Sequence, residues 1–366
     1  MSAPTRLLMG PGPSNVPPEV LEALSRPLVG HLDPTFLDTL DRCAQRLRDV
    51  FRTHNRLTFA VSGTGSAGME AAFVNVLEPG DVAVVCVNGV FGGRMADVAS
   101  RAGADVVRVE APWGEPVTAD AVDAALDAHP RAKLVAVVHA ETSTGVAQPM
   151  DGIADRVAAS DALLVVDCVT SLAGMPVQVD AWGVDVAYSG TQKCLSVPPG
   201  LAPITFSEHA LEMVRARTTH VQSWYLDVTM LERYWGSDRV YHHTAPVAMV
   251  RALDEGLRLV CEEGLEARWE RHRRCAKALS DGLESRGFAY VPAAAHRLPM
   301  LHCVRLPRGA EEAPLRRRLL DEYSIEVGGG LGEFAGAAWR IGLMGYSCSE
   351  ANVGTLLSAI DEVLAA

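Results

Sequence analysis

Lysine is scarce in this chain: of 33 basic residues, three are lysines (Lys133, Lys193 and Lys277) and the other 30 are arginines. Arginine keeps its proton in a protein, whereas lysine can be desolvated into a nucleophilic amine. Each lysine is therefore a position to examine for chemistry. Lys133 and Lys277 lie among charged neighbours, just before a strand and on a helix, and read as solvated surface charges. Lys193, in "YSGTQKCLSVPPG" (188–200), has no charged neighbour between Asp185 and Glu208 and precedes an apolar, proline-containing stretch. Such surroundings depress the pKa of an amine.

Other residues with chemical potential follow short apolar runs. "SGTGSAGME" (62–70) is a small-residue turn feeding a helix, where free backbone N–H groups and the helix dipole suit a phosphate. It matches neither G-x-G-x-x-G nor the Walker pattern, and by itself reads equally well as a tight strand-to-helix turn. "NGVFGGR" offers Phe91 as a ring to lie over a planar cofactor, or simply as a core aromatic. "HAETSTG" presents the hydroxyls of Thr142 and Ser143, which would also serve as helix caps. "VVDCVTS" places Asp167 at the end of an apolar run, where a carboxylate needs a cationic partner, either an ion pair or a protonated ring nitrogen. One small molecule uses the whole set: pyridoxal 5′-phosphate, held by its phosphate, its ring face, its ring nitrogen and a lysine Schiff base.

The elements that must position these groups are legible as alternation. "LTFAVSG" (57–63), "VAVVCVNG" (82–89), "ADVVRVEA" (104–111), "KLVAVVHAE" (133–141), "LLVVDCV" (163–169) and "DVAYS" (185–189) read as strands. Most are valine-rich and apolar on both faces, as in a parallel sheet covered by helices. Between them, "SAGMEAAFVNVL", "GGRMADVASRAG", "ADAVDAALDAH" and "MDGIADRVAASD" have helical patterns. The β-α-β alternation predicts a doubly wound α/β domain, with ligands collecting at the carboxyl ends of its strands. From about Pro246 longer helical segments take over, one ending on Gly287, followed by "MLHCVRL", "PLRRRLLDEYS", "WRIGLMG" and a last helix with a capping-box pattern at Ser347 and Glu350. This part reads as a smaller C-terminal α+β domain, giving an N-terminal arm over 1–18, a large domain over 19–263 and a small domain over 264–366.

The totals exclude other classes. The 366 residues, 48% hydrophobic and 21% charged, suit an ordinary globular protein of two domains. A formal net charge of −12 without a dense Lys/Arg run argues against a nucleic-acid or anionic-membrane surface. No apolar run reaches the roughly 18 residues of a membrane span, and "MSAPTRLLMGPGPSN" lacks the core of a secretory signal, so a cytoplasmic protein is expected. Eight scattered cysteines, with no C-x-x-C and no His at metal-ligand spacing, indicate no metal site.

"GPGPSNVP", "SGTGSAGMEAAFVNVLEPGD", "NGVFGGR", "ETSTGVAQPMDGI", "VVDCVTSLAGMPVQVDAWGVDVAYSGTQKCLSVPPG", "YHHTAPV" and "WRIGLMG" together resemble the alanine–glyoxylate and serine–glyoxylate aminotransferases of fold-type I, class V. The resemblance covers nearly the whole chain in order. It implies a mostly parallel central sheet flanked by helices in the large domain, and a Schiff base between Lys193 and the cofactor. It further implies Asp167 on the pyridine nitrogen, Val169 and Phe91 against the ring, Thr142 near the 3′ oxygen, and Thr64, Gly65, Ser66 and Gln192 on the phosphate. Tyr241 and Thr244 of "YHHT" would reach the phosphate in a partner's site, implying a homodimer with shared active sites. Arg340 would anchor the substrate carboxylate, and the arm would bring the backbone of Gly12 near the substrate. His31 in "VGHLDP" lines the donor pocket or belongs to an ordinary loop. The implied reaction moves an amino group from a small L-amino acid, alanine first and serine next, to glyoxylate. A (S)-ureidoglycine donor, a desulfurase-like reaction and a catalytically silent cofactor-binding module are the alternatives.

Overall fold

The computed structural model describes residues 5–365, so residues 1–4 of the expected arm lie outside the described residues. A seven-stranded sheet forms from β1 (Leu57–Ser62), β2 (Val82–Val87), β3 (Asp105–Glu110), β4 (Ala132–Val138), β5 (Leu163–Asp167), β6 (Val186–Tyr188) and β7 (Leu201–Phe206). Its order is β1-β7-β6-β5-β4-β2-β3, and β7 alone runs antiparallel to its neighbours. The sheet is mostly parallel, as the alternation predicts. Every residue of β5 is buried and all but one of β4, so helices cover both faces. Each valine or leucine buried there contributes roughly 1.5–3 kcal/mol.

Strand β7 has no counterpart among the strands read from sequence. It carries Pro203, paired with Ala60, and a proline normally argues against an interior strand because it cannot donate to the ladder. The carbonyl of Pro203 still accepts from the Ser189 amide at 2.7 Å, so the position keeps one of its two ladder bonds.

Two helices begin where the sheet meets the candidate residues: α1 (Gly65–Val76) follows β1, and α2 (Val90–Arg101) follows β2. Later in the chain, α3 (Val247–Glu263) and α4 (Leu265–Glu284) are divided by Gly264, whose φ of 80° breaks the helical run. A second sheet is built from β8 (Ala289–Tyr290), β9 (Leu301–Arg305), β10 (Gly328–Gly329) and β11 (Ala338–Gly342), in the order β8-β9-β11-β10. Its core includes Leu279, Val304, Trp339, Ile341, Leu356 and Met9. Met9 belongs there because Leu7–Leu8 pairs in parallel with Ile325–Glu326 and the Gly342 amide donates to the Met9 carbonyl at 2.8 Å. A Cβ at Gly342 would lie 1.9 Å from the Gly10 carbonyl oxygen, so this junction requires glycine.

The capping box expected at Ser347 and Glu350 is not the one the chain uses. The last helix, Glu350–Ala365, is capped by Ser349, whose hydroxyl accepts from the Asn352 amide at 3.1 Å. Ser347 is instead held by the arm, accepting from the Asn15 amide at 2.9 Å.

Candidate active site

The carboxyl ends of β1, β2, β4, β5 and β6 converge on a cavity of about 110 Å³. Thr64, Gly65, Ser66, Phe91, Thr142, Asp167, Val169, Gln192 and Lys193 all line it, and so does Arg94. Lys193 lies on the segment after β6, half-buried, and its Nζ donates to the Pro11 carbonyl. Burial, helped by the charge of the Arg340 guanidinium, pulls its ammonium down to about 8. Gly12 passes so close that a Cβ there would sit 2.7 Å from Lys193 Nζ; its φ is +105°. The arm therefore reaches the lysine, and only a glycine lets it.

Asp167 ends β5. Its Oδ1 accepts from the Val169 amide at 2.8 Å and its Oδ2 from the Tyr188 hydroxyl at 2.9 Å, Tyr188 standing directly opposite it on β6. Burial is the main cause that raises the carboxyl to about 6. No cation pairs with it among the described residues, so a ligand carrying an N–H cation would complete it. The Thr142 hydroxyl shares a 2.8 Å hydrogen bond with that of Thr170.

At the start of α1, no described group accepts from the amides of Gly65 and Ser66, and the hydroxyl of Thr64 makes no cap bond. Gln192 Oε1 is buried without a partner, and turning that amide over would present a donor instead. Unclaimed donors gathered at a helix N-terminus form a phosphate cradle. Opposite the cradle are an uncompensated buried carboxylate and an amine of lowered pKa. This set of walls fits pyridoxal 5′-phosphate.

Arg340 on β11 has only its Nε engaged among the described residues, donating to the Gly329 carbonyl at 2.8 Å, so the rest of its fork is free. Tyr241, Thr244 and His31 do not line the cavity. Tyr241 is 58% exposed and packs against the His31 ring at 5.2 Å, while Thr244 is exposed nearby in the chain. Two residues escaped the sequence reading. Arg94 stands 5.0 Å over the Phe91 ring, and Glu141 is wholly buried where the fourth strand hands over to Thr142. The signal that marked Asp167, a carboxylate closing an apolar run, was present for Glu141 too.

A mostly parallel sheet with this cleft at its strand ends defines a fold-type I enzyme of amino-group chemistry. The model of the family "Aminotransferase class-V" matches residues 6–350, and the chain belongs to that family, with pyridoxal 5′-phosphate as its cofactor. It is similar to the alanine–glyoxylate aminotransferase of Nostoc sp., whose crystal structure superimposes with a TM-score of 0.97 at 48% identity, covering 100% of this chain and 96% of that one. The alanine–glyoxylate aminotransferase of Mus musculus is 41% identical over 368 residues, covering 100% of this chain and 89% of the relative. The (S)-ureidoglycine–glyoxylate transaminase of Bacillus subtilis is 38% identical over 382 residues, covering 100% and 92%. Among the described residues no helix is long and apolar enough to cross a membrane.

Proposed function

We propose that this enzyme transfers an amino group from a small L-amino acid, alanine ahead of serine, to glyoxylate, giving glycine and a 2-keto acid in a ping-pong sequence. The observation that carries the reading is the unpaired Lys193 amine of lowered pKa, set opposite Asp167 and a phosphate cradle. The names of the Nostoc and Mus musculus relatives support the choice of substrates.

In this reading Lys193 holds the cofactor covalently and, once displaced, moves the proton at the donor's Cα. The bound cofactor supplies an electron sink for the bond broken at Cα. Asp167 would hold the ring nitrogen, Phe91 and Val169 would pack against the ring, and Thr142 would stand near the 3′ oxygen. Thr64, Gly65, Ser66 and Gln192 hold the phosphate. The free fork of Arg340 suits bidentate binding of the substrate carboxylate. Gly12 closes the site from the arm, and His31 belongs to the donor pocket.

The functional unit in this reading is a homodimer in which Tyr241 and Thr244 serve the partner's phosphate. Its support is an apolar face: Trp224 (60% exposed) and Tyr225 gather around His242 and His243, and the exposed Tyr241 packs on His31, aromatic surface that a soluble monomer rarely leaves uncovered. Residues 1–18, 19–263 and 264–366 act as arm, large and small domains, a division supported by the break at Gly264. Eight unpaired cysteines suit a reducing cytoplasm.

The similarity to the Bacillus subtilis enzyme keeps (S)-ureidoglycine as the alternative donor to test. The deciding experiment adds L-alanine, L-serine and (S)-ureidoglycine separately to the purified yellow protein, then glyoxylate. Bleaching by alanine and recovery with glyoxylate is the expected result. A yellow protein that no donor bleaches would refute transamination.

A further inference from the structure

No other carboxylate among the described residues is as deeply buried as that of Glu141, which is 0% exposed. Its Oε2 accepts from the amides of Phe91 (3.1 Å) and Gly92 (3.2 Å). Its Oε1 accepts from the Ser143 amide (3.0 Å) and hydroxyl (2.6 Å), and the same hydroxyl oxygen accepts from the Val90 amide at 3.0 Å. The whole first turn of α2 is thereby tied to Glu141 and Ser143. Gly89 makes room for it, since a Cβ there would lie 2.5 Å from the Glu141 carboxyl carbon and from Ser143 Oγ.

A serine or asparagine at the N-cap would satisfy such amides far more cheaply than a carboxylate brought in from another strand. The helix dipole offsets part of the burial cost, and no basic side chain pairs with Glu141 among the described residues. What the arrangement adds is a rigid link between two walls of the cavity. Phe91 is held through its own amide, and Thr142, the next residue after Glu141, forms the other wall. Both line the cavity.

We propose that Glu141 is a positioning residue: by gripping the Phe91 and Gly92 amides it sets the spacing between the Phe91 ring and the Thr142–Asp167 wall, and so the width of the slot that receives the cofactor ring. This rests on Phe91 as the stacking ring. Its charge reaches the same wall, because Glu141 is one of the causes that raise the Asp167 carboxyl.

The test is a double-mutant cycle on full-length protein, reading the dissociation constant for pyridoxal 5′-phosphate and the visible circular dichroism of the bound cofactor. Phe91→Leu should weaken binding about tenfold, and Glu141→Gln should do much the same, with reduced dichroism. The double variant should be no weaker than the worse single one. Losses that multiply, or a Glu141→Gln protein that binds normally while Phe91→Leu does not, would overturn the proposal. Unchanged affinity in Phe91→Leu would overturn the stacking role beneath it. If Glu141→Gln fails to fold, Ser143→Ala keeps the question open to measurement: it removes only the hydroxyl's part of the grip, and a smaller loss that vanishes in the Phe91→Leu background is the expected result, while a loss independent of Phe91 would refute the link.

Discussion

Two cavities of this molecule each contain a lysine. The larger, about 450 Å³, lies between Gly174–Pro176 and α4 and is lined by Lys277; the smaller, about 110 Å³, holds Lys193. Size favours the first as a ligand pocket, but the wall chemistry favours the second. Lys277 is largely exposed and pairs with Asp281, four residues along its helix, at 2.7 Å. Lys193 has no carboxylate within ion-pair distance: its amine meets a backbone carbonyl, and burial with the charge of Arg340 outweighs the more distant pull of Asp167. A lysine becomes chemically useful when the fold denies it a counter-ion, and a roomy pocket does not do that.

The contrast can be broken most directly at the two amines. Lys193→Ala is expected to abolish the yellow band and lower turnover by at least roughly a thousandfold, with Lys277→Ala within twofold of the parent; equal effects would erase the distinction. Asp167→Asn should keep the protein folded and lower kcat by about a hundredfold or more, since an amide cannot hold a ring nitrogen in its protonated state. Gly12→Ala sharpens the comparison from the arm side, because the new methyl would displace the Lys193 amine; kcat should fall about tenfold while the fold is kept.

A pH experiment follows from the lowered amine. The folded state binds the Lys193 proton less tightly than the unfolded chain, so charge burial costs stability in full below about pH 8. That cost is relieved as the pH rises from there towards the ordinary lysine value. Denaturant titration of cofactor-free protein should therefore show stability rising more with pH across this window in the parent than in Lys193→Met. A flat difference would contradict the lowered pKa. The smallest effect belongs to the other cavity: breaking the exposed Lys277–Asp281 pair should cost only about 0.3–0.5 kcal/mol.

The parts that were legible in the sequence are those where one residue type does one thing in a local context. Six strands followed from continuous apolar runs, and Lys193 and Asp167 from their isolation at strand ends. Strand β7 was hidden because Pro203 violates the pattern at a position where the sheet tolerates losing one donor. The helical cap at Ser349 was missed because two serines compete for the role and the arm, hundreds of residues away, claims Ser347. Glu141 closes an apolar run as Asp167 does, but its role was hidden, since its partners are amides in the first turn of α2 that no spacing rule connects to it.

The pairing of Leu7–Leu8 with Ile325–Glu326 also has a consequence for how the enzyme comes into being. The stretch that delivers Gly12 to the lysine leaves the ribosome well before its partner strand at Ile325–Glu326 is made. During synthesis the large sheet can collapse around Lys193 while Ser14 ties the arm to it, through the Gln192 and Lys193 carbonyls, and the strand pairing that completes closure waits for Ile325–Glu326. A nascent chain arrested shortly before residue 325 should already own its parallel sheet and still leave the lysine open to amine-selective labelling. Synthesis of that partner strand then acts as the step that shuts the door.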